Sequence, residues 1–293
     1  MFPVTGVSSF EDRVFPQKYT FQFNGRLQVW NSPKIMGILN VTPDSFFGKS
    51  RANFTSNDFA RQVEKLISEG ADILDIGGYS TRPGAAEVSE EEEINRVVPA
   101  VEWISKNFPD ILLSVDTFRA NVALQAIGSG AHIVNDISSG DLDPEMIPTV
   151  GKLKVPYIAM HMRGNPSNMH ELTNYSDILA EILNYFAEKQ EQFKKFGIKD
   201  VIIDPGFGFA KTIEQNYFLL KNLKQFQRLS SPILVGISRK SMIYKTLEIN
   251  ADDALNGTTA LNMFALCQGA NLLRVHDVKE AKETLKLYHT IYP

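Results

Sequence analysis

Residues able to hold or move charge recur at the ends of short apolar runs along most of this chain. Asn40 closes the run from 34, and Asp75 interrupts the run from 72. Asp116, the pair Asn135 and Asp136, His161 and Asp204 end the next four. Ser238, Arg239 and Lys240 follow the seventh, and Arg274 and His276 the eighth. Two chemistries are represented. Asp116, Asn135 and Asp204 are carboxylate and amide groups that accept hydrogen bonds from a donor-rich ring. Lys240, Arg274 and His276 are cationic groups suited to phosphate. A ligand with a polar ring at one end and a phosphate at the other matches both halves.

Such scattered residues share a pocket only if the fold gathers them. Eight strands are expected, at 34–40, 72–77, 111–116, 132–135, 156–160, 200–204, 232–237 and 271–275. Most are continuous Ile/Leu/Val runs, the pattern of parallel strands buried on both faces. Helical signals fall between them, at 57–69, 89–106, 119–127, 175–196, 214–223, 241–248, 257–268 and 277–288. The helix at 89 opens with a capping box of Ser89 and Glu92, and the glutamates at 90–93 read as a solvated helix start. Eight strand–helix units in roughly 250 residues define a (β/α)8 TIM barrel, whose strand C-terminal ends form its active site. A doubly wound sheet is the rival, but no Gly-rich phosphate fingerprint follows the first strand. Ahead of the barrel, two alternating strands flank Asn24 and Gly25 and predict a hairpin over 19–30 that caps one end. Residues 1–18 read as an irregular arm, and 19–293 as one domain.

Composition narrows the function. A net charge of −4 argues against a nucleic-acid surface. No apolar run approaches the ~18–20 residues of a membrane span, and no signal peptide is evident. The one cysteine, Cys267, excludes an intrachain disulfide, fits a cytoplasmic setting and is expected to be inert core. Gly48-Lys49-Ser50 imitates a P-loop end, but Pro43 stands where its first glycine belongs. The five histidines show no zinc-site spacing. Several candidates keep two readings. Asp75 and Asp136 are either ligands or hydrogen-bonding residues of nearby turns. Asp44 either acts or shapes its Thr-Pro-Asp turn, and Arg239 either acts or makes a surface ion pair. Asp204, an acid ending an apolar central strand, needs a partner and favours function.

Segments 35–47 (IMGILNVTPDSFF), 75–86 (DIGGYSTRPGAA), 114–117 (SVDT), 134–137 (VNDI), 160–166 (MHMRGNP), 203–209 (IDPGFGF), 236–241 (GISRKS) and 274–277 (RVHD) resemble dihydropteroate synthases, in the family's order. The resemblance covers about 34–285 and implies a transferase of folate biosynthesis, the target of sulfonamides. It joins 4-aminobenzoate to 6-hydroxymethyl-7,8-dihydropterin diphosphate and releases diphosphate. By the same resemblance, Asp116, Asn135, Asp204, Lys240, Met160, Phe209 and Gly236 form the pterin pocket. Asn40, Arg274 and His276 take the diphosphate, with Asn40 a ligand of Mg²⁺. Thr81, Arg82 and Ser241 lie near aminobenzoate, and Lys240, Arg274, His276 and Asp204 carry the chemistry. A cytoplasmic homodimer through C-terminal helices is implied. Two positions depart from the family. The loop at 47–51 has Gly48 where an acidic residue is common, and Tyr79 stands where glutamate is common. Two alternatives share the pterin-binding barrel. One is a methyltetrahydrofolate–corrinoid methyltransferase, disfavoured by the Ser-Arg-Lys-Ser and Arg-Val-His motifs. The other is a pterin-binding protein without turnover, supported only by the altered loop.

Overall fold

A computed structural model describes residues 18–23, 25–41, 57–79 and 88–292. An antiparallel hairpin of β1 (Tyr19–Phe23) and β2 (Arg26–Trp30) comes first, paired from Tyr19↔Trp30 to Phe23↔Arg26. Gly25 holds a φ of 77°, which a two-residue hairpin loop requires. Eight parallel strands follow: β3 (Lys34–Asn40), β4 (Ile73–Gly77), β5 (Leu112–Asp116), β6 (Ile133–Asp136), β7 (Tyr157–Met160), β8 (Val201–Asp204), β9 (Leu234–Val235) and β10 (Leu272–Val275). They pair in the order β8-β7-β6-β5-β4-β3-β10-β9, and a parallel bridge between Ile203 and Ile233 brings the two ends together. The expected TIM barrel is present.

Nine helices surround it among the described residues: α1 (Asn57–Ser68), α2 (Glu90–Asn107), α3 (Ala120–Gly128), α4 (Met146–Leu153), α5 (Ile178–Lys195), α6 (Ile213–Lys221), α7 (Ser241–Tyr244), α8 (Leu255–Cys267) and α9 (Val278–Ile291). Among the described residues, no helix is long and apolar enough to cross a membrane. One helix was not legible in the sequence. α4 contains Pro148 and Gly151, both normally helix breakers. Pro148 lies in the first turn, where its missing N–H has no intrahelical partner to lose. Gly151 lies so close to the end of α5 that an added Cβ would stand 2.3 Å from the Phe196 carbonyl oxygen. Close helix packing decides that residue, and sequence periodicity does not see it.

Three further expectations are corrected. Ser89 caps α2 by accepting from the Glu92 N–H at 3.2 Å, but the Glu92 carboxylate pairs with Arg96, not with the cap's own backbone. A complete capping box is instead found at Thr212 and Gln215, opening α6. Glu93 is not solvated. It is fully buried, accepting from the Thr117 hydroxyl at 2.6 Å and from Arg119 at 2.7 Å. Cys267 is exposed, not core. The inward face of α8 is taken by Asn262, Ala265 and Leu266, so residue 267 turns outward.

Inside the barrel, strand alternation sorts the side chains into layers. Met36, Ile73, Ile133, Ile158, Ile202, Leu234 and Leu272 form a buried apolar ring. The hairpin's Phe21, Phe23 and Trp30 pack onto this ring from below, with the Phe21 and Trp30 ring centroids 4.4 Å apart. One pleat further along, two residues on, the same strands present Ile38, Asp75, Asn135, Met160, Asp204, Gly236 and Arg274. The bottom of the barrel is thus sealed by apolar packing, and polarity begins one layer above. Trp30→Ala is expected to cost ~3–5 kcal/mol of stability, as for other buried aromatic truncations. Denaturant unfolding checks this, with the activity of the remaining folded protein unchanged because the plug lies on the face opposite the strand C-terminal ends.

Candidate active site

The polar layer is organised around Arg274. Its Nε donates to Asp75 Oδ2 at 2.6 Å, and its Nη2 donates to Asp116 Oδ2 at 2.5 Å. Asp75 Oδ2 also accepts from Asn135 Nδ2 at 3.0 Å. Burial pushes Arg274 towards the neutral form, but Asp75 and Asp116 outweigh it and raise its pKa. Asp116 is driven up to about 7, chiefly by burial, with Arg274 opposing and Asp75 adding to the rise.

Asp204 lies on the far side of the mouth and accepts from the Gly206 N–H at 2.7 Å. Burial raises its pKa, opposed mainly by the charge of Lys240. Lys240 is lowered to about 8 by burial, which the attraction of Asp204 partly offsets. Its Nζ donates to the Phe207 carbonyl and stands 4.9 Å from the Phe209 ring centroid, a cation–π distance. Gly236 supplies room: a Cβ there would lie 3.8 Å from Arg274 Cβ and 4.0 Å from Lys240 Nζ. Met160 joins an apolar patch with Ile137, Met162, Met169 and Ala210, against which Phe209 packs. A flat ring therefore meets an apolar wall, a cation and a row of acceptors.

The remaining candidates divide. Asn40 and His276 are exposed at the rim, and the His276 Nδ1 and backbone N–H lie 3.2 Å from Ser238 Oγ. Ser241 opens α7, next to Lys240. Thr81 and Arg82, Asp44 and the unusual stretch 47–51 lie outside the described residues. Tyr79 packs edge-on against Phe118, with centroids 5.3 Å apart and the Arg119 guanidinium 5.5 Å from its ring. Arg239 is not a ligand group: it forks onto Asp277 at 2.9 and 2.8 Å and bonds the Asp252 carbonyl. Asp136 is a turn residue. It accepts from Ser138 N–H and Oγ, Gly140 N–H and the Tyr157 hydroxyl, all within 2.8 Å.

Lys211 was missed by sequence reasoning. It is buried, donating at 2.9 Å to the carbonyls of Gly206 and Phe209, with Nζ 3.1 Å from His161 Nδ1. Burial lowers it to about 7 and, with the Lys211 charge, pushes His161 well below its usual range. The tie folds the 206–209 turn over the site. Gly206 is obligatory there, with a φ of 73° and an ideal Cβ only 2.0 Å from the His161 carbonyl oxygen. A lone lysine after Phe209 carries no sign of burial in the sequence. Only the doubled glycines hinted at a tight turn needing such a tie.

A parallel (β/α)8 barrel whose strand C-terminal ends gather carboxylates, an amide and a guanidinium has the site of a barrel enzyme. The sequence model described as pterin binding enzyme matches residues 36–276. Dihydropteroate synthase of Escherichia coli K12 is 44% identical over 257 residues, 87% of this chain and 90% of that protein. The Synechocystis dihydropteroate synthase is 41% identical over 261 residues, 88% of this chain and 90% of that one. The crystal structure of Yersinia pestis dihydropteroate synthase with a sulfonamide drug complex matches with a TM-score of 0.86 at 40% identity, covering 94% of this chain and 99% of that one. The Xanthomonas albilineans enzyme with 4-aminobenzoic acid matches at 0.84 and 36% identity, covering 93% and 98%. The chain belongs to the dihydropteroate synthase family.

Asp136→Ala separates a structural from a ligand-binding role. It strips four donors of their acceptor in the core, and a loss of roughly 3–5 kcal/mol is expected in thermal or denaturant unfolding. Pterin affinity of the folded variant should stay close to wild type. A large selective loss of affinity would make Asp136 a ligand residue.

Proposed function

We propose that the residues around Arg274 perform the family's condensation in two coordinated halves of one pocket. The reaction is a transferase step: 4-aminobenzoate and 6-hydroxymethyl-7,8-dihydropterin diphosphate give 7,8-dihydropteroate and diphosphate. The observation that carries the assignment is the polar layer itself, in which acceptor groups and a guanidinium share one ring of inward positions. Asp116, Asn135 and Asp204 accept from the N–H groups of the pterin edge. Met160 and Phe209 flank the ring, and Gly236 leaves space for it. Lys240 holds the ring's acceptor side from above Phe209.

Arg274 and the rim residues Asn40 and His276 face the diphosphate. As the methylene C–O bond breaks, its electron pair leaves with the diphosphate, and Arg274 and His276 stabilise that charge. The electron-rich ring spreads the positive charge left on the methylene carbon. The arylamine nitrogen then donates its lone pair to that carbon and loses a proton to solvent or diphosphate. No strong protein base is needed, because an arylamine is already a neutral nucleophile. Ser241, Thr81 and Arg82 belong to the aminobenzoate end, where sulfonamides compete.

The described residues hold no cluster of His, Cys, Asp and Glu able to bind a metal by itself. The exposed amide oxygen of Asn40 nevertheless fits a Mg²⁺ ion that keeps most of its waters and shares the diphosphate. Bound there, Mg²⁺ would neutralise charge on the leaving group. A cytoplasmic homodimer completes the reading. Exposed Leu247, Ile249 and Phe264, in and just before α8, support an interface through the C-terminal helices.

The test is diphosphate release by purified protein with Mg²⁺, omitting each substrate in turn. Release that needs both substrates, with dihydropteroate formed, is expected. Pterin binding without release would instead support a non-catalytic binder. Lys240→Ala should lower kcat/KM roughly 10- to 100-fold, the worth of a charged hydrogen bond. The pH dependence has a definite sign. Asp116 is an acid raised to about 7, so it is a charged carboxylate, accepting through both oxygens, only above that pH. Lys240 is a base lowered to about 8, so it is cationic only below that pH. Pterin affinity measured by calorimetry from pH 6 to 9 should therefore peak between 7 and 8. A flat profile would remove one or both groups from pterin binding.

A further inference from the structure

We propose that Asp75 is a positioning residue that pins Arg274 by its Nε, while Asp116 latches the other end of the same guanidinium until the pterin ring displaces it. This deepens the functional reading above and rests on it. The two carboxylates are not equivalent partners. The Asp75 side chain is fully buried, whereas that of Asp116 is 20% exposed at the mouth. A buried carboxylate without a cation is strongly unfavourable, so Asp75 holds its guanidinium. Asp116 can exchange Arg274 for other donors, because the pocket brings ligand N–H groups to it.

The connectivity supports a pivot. Asp75 Oδ2 takes both Arg274 Nε and Asn135 Nδ2, so a single oxygen ties the cationic half of the site to the amide half. Its other oxygen, Oδ1, is buried and has no partner among the described residues, and the same holds for Ser114 Oγ at the matched register of the neighbouring strand. Among the described residues, Arg274 is the one cation bonded to Asp75, with Asn135 a neutral donor beside it. With Nε fixed, the terminal nitrogens of Arg274 are the mobile end. One of them is spent on Asp116. A pterin edge that occupies Asp116 frees that nitrogen for an anion. Ring and diphosphate then bind with positive coupling through one side chain, and by linkage each strengthens the other equally.

The experiment measures inorganic diphosphate binding, with Mg²⁺, by titration calorimetry. It is run without and with saturating 6-hydroxymethyl-7,8-dihydropterin, which lacks the diphosphate. In wild type the pterin should tighten diphosphate at least about 5-fold, the lower end of ordinary coupling. Asp116→Asn should bind diphosphate alone at least as tightly as wild type does with pterin, and should lose both the coupling and much of its pterin affinity. Asp75→Asn should weaken diphosphate about 10-fold or more under both conditions while circular dichroism stays native. Should that variant fail to fold, the wild-type coupling and Asp116→Asn still decide the matter. Wild-type binding of both ligands without coupling, or Asp116→Asn with no gain for diphosphate, overturns the latch alone. Wild-type protein that binds neither ligand overturns the functional reading as well.

Discussion

One side chain, Arg274, lets three acids coexist inside a barrel. Asp75 and Asp204 are buried in the interior, where isolated carboxylates are costly, and Asp116 stands beside them at the mouth, 20% exposed. Arg274 touches two of them directly, and Lys240 faces the third. Remove the guanidinium and the layer above the apolar plug loses its charge balance. The arrangement is poor for stability compared with an apolar core, as is usual for buried ion pairs. It makes sense as a binding surface whose charges are already desolvated and oriented before the ligand arrives.

That layer stands on the ring beneath it. The hairpin buries Phe21, Phe23 and Trp30 against the lower ring, so water is excluded from the strand N-terminal ends. Each barrel strand then alternates, and the residue two positions beyond the plug residue of β4, β6, β7, β8, β9 and β10 is a site position. The same rule explains the supporting turns. Lys211 closes the turn after β8 onto three carbonyl or ring acceptors, and Asp136 closes the turn after β6. Lys211 holds the Phe209 carbonyl directly, and Ser139 in the turn that Asp136 closes donates to the Met160 carbonyl, so these turns set where Phe209 and Met160 stand. The rigidity of this shell contrasts with the exchangeable Asp116 contact at its mouth.

Much of the site was legible because its residues are chemically conspicuous. Acids, amides and cations rarely end buried apolar strands unless they hold a partner or a ligand. The long motifs around them identify the family. The inner supports were not legible. Asp75 and Asp136 have the same residue type and similar settings, yet one joins the ligand layer and the other serves a turn. Glu93 sat in a run of four glutamates that looked solvated, and only the approach of Thr117 and Arg119 explains its burial. Lys211 gave no signal because a lysine's burial depends on carbonyls that a turn brings around it.

The sequence by itself determined the strand–helix count, the polar strand ends and the family, because these follow from local residue type, periodicity and extended motifs. Tertiary structure decided which of the two alternating faces of each strand turns inward. It decided that Asp75, Asn135 and Arg274, separated by up to 199 residues, share one oxygen. It also decided that α4 is a helix despite its proline and glycine. The physical reason is common to all three. Hydrogen-bond partners and close packing are set by residues distant in the chain, and barrel closure places them within a few ångströms of each other.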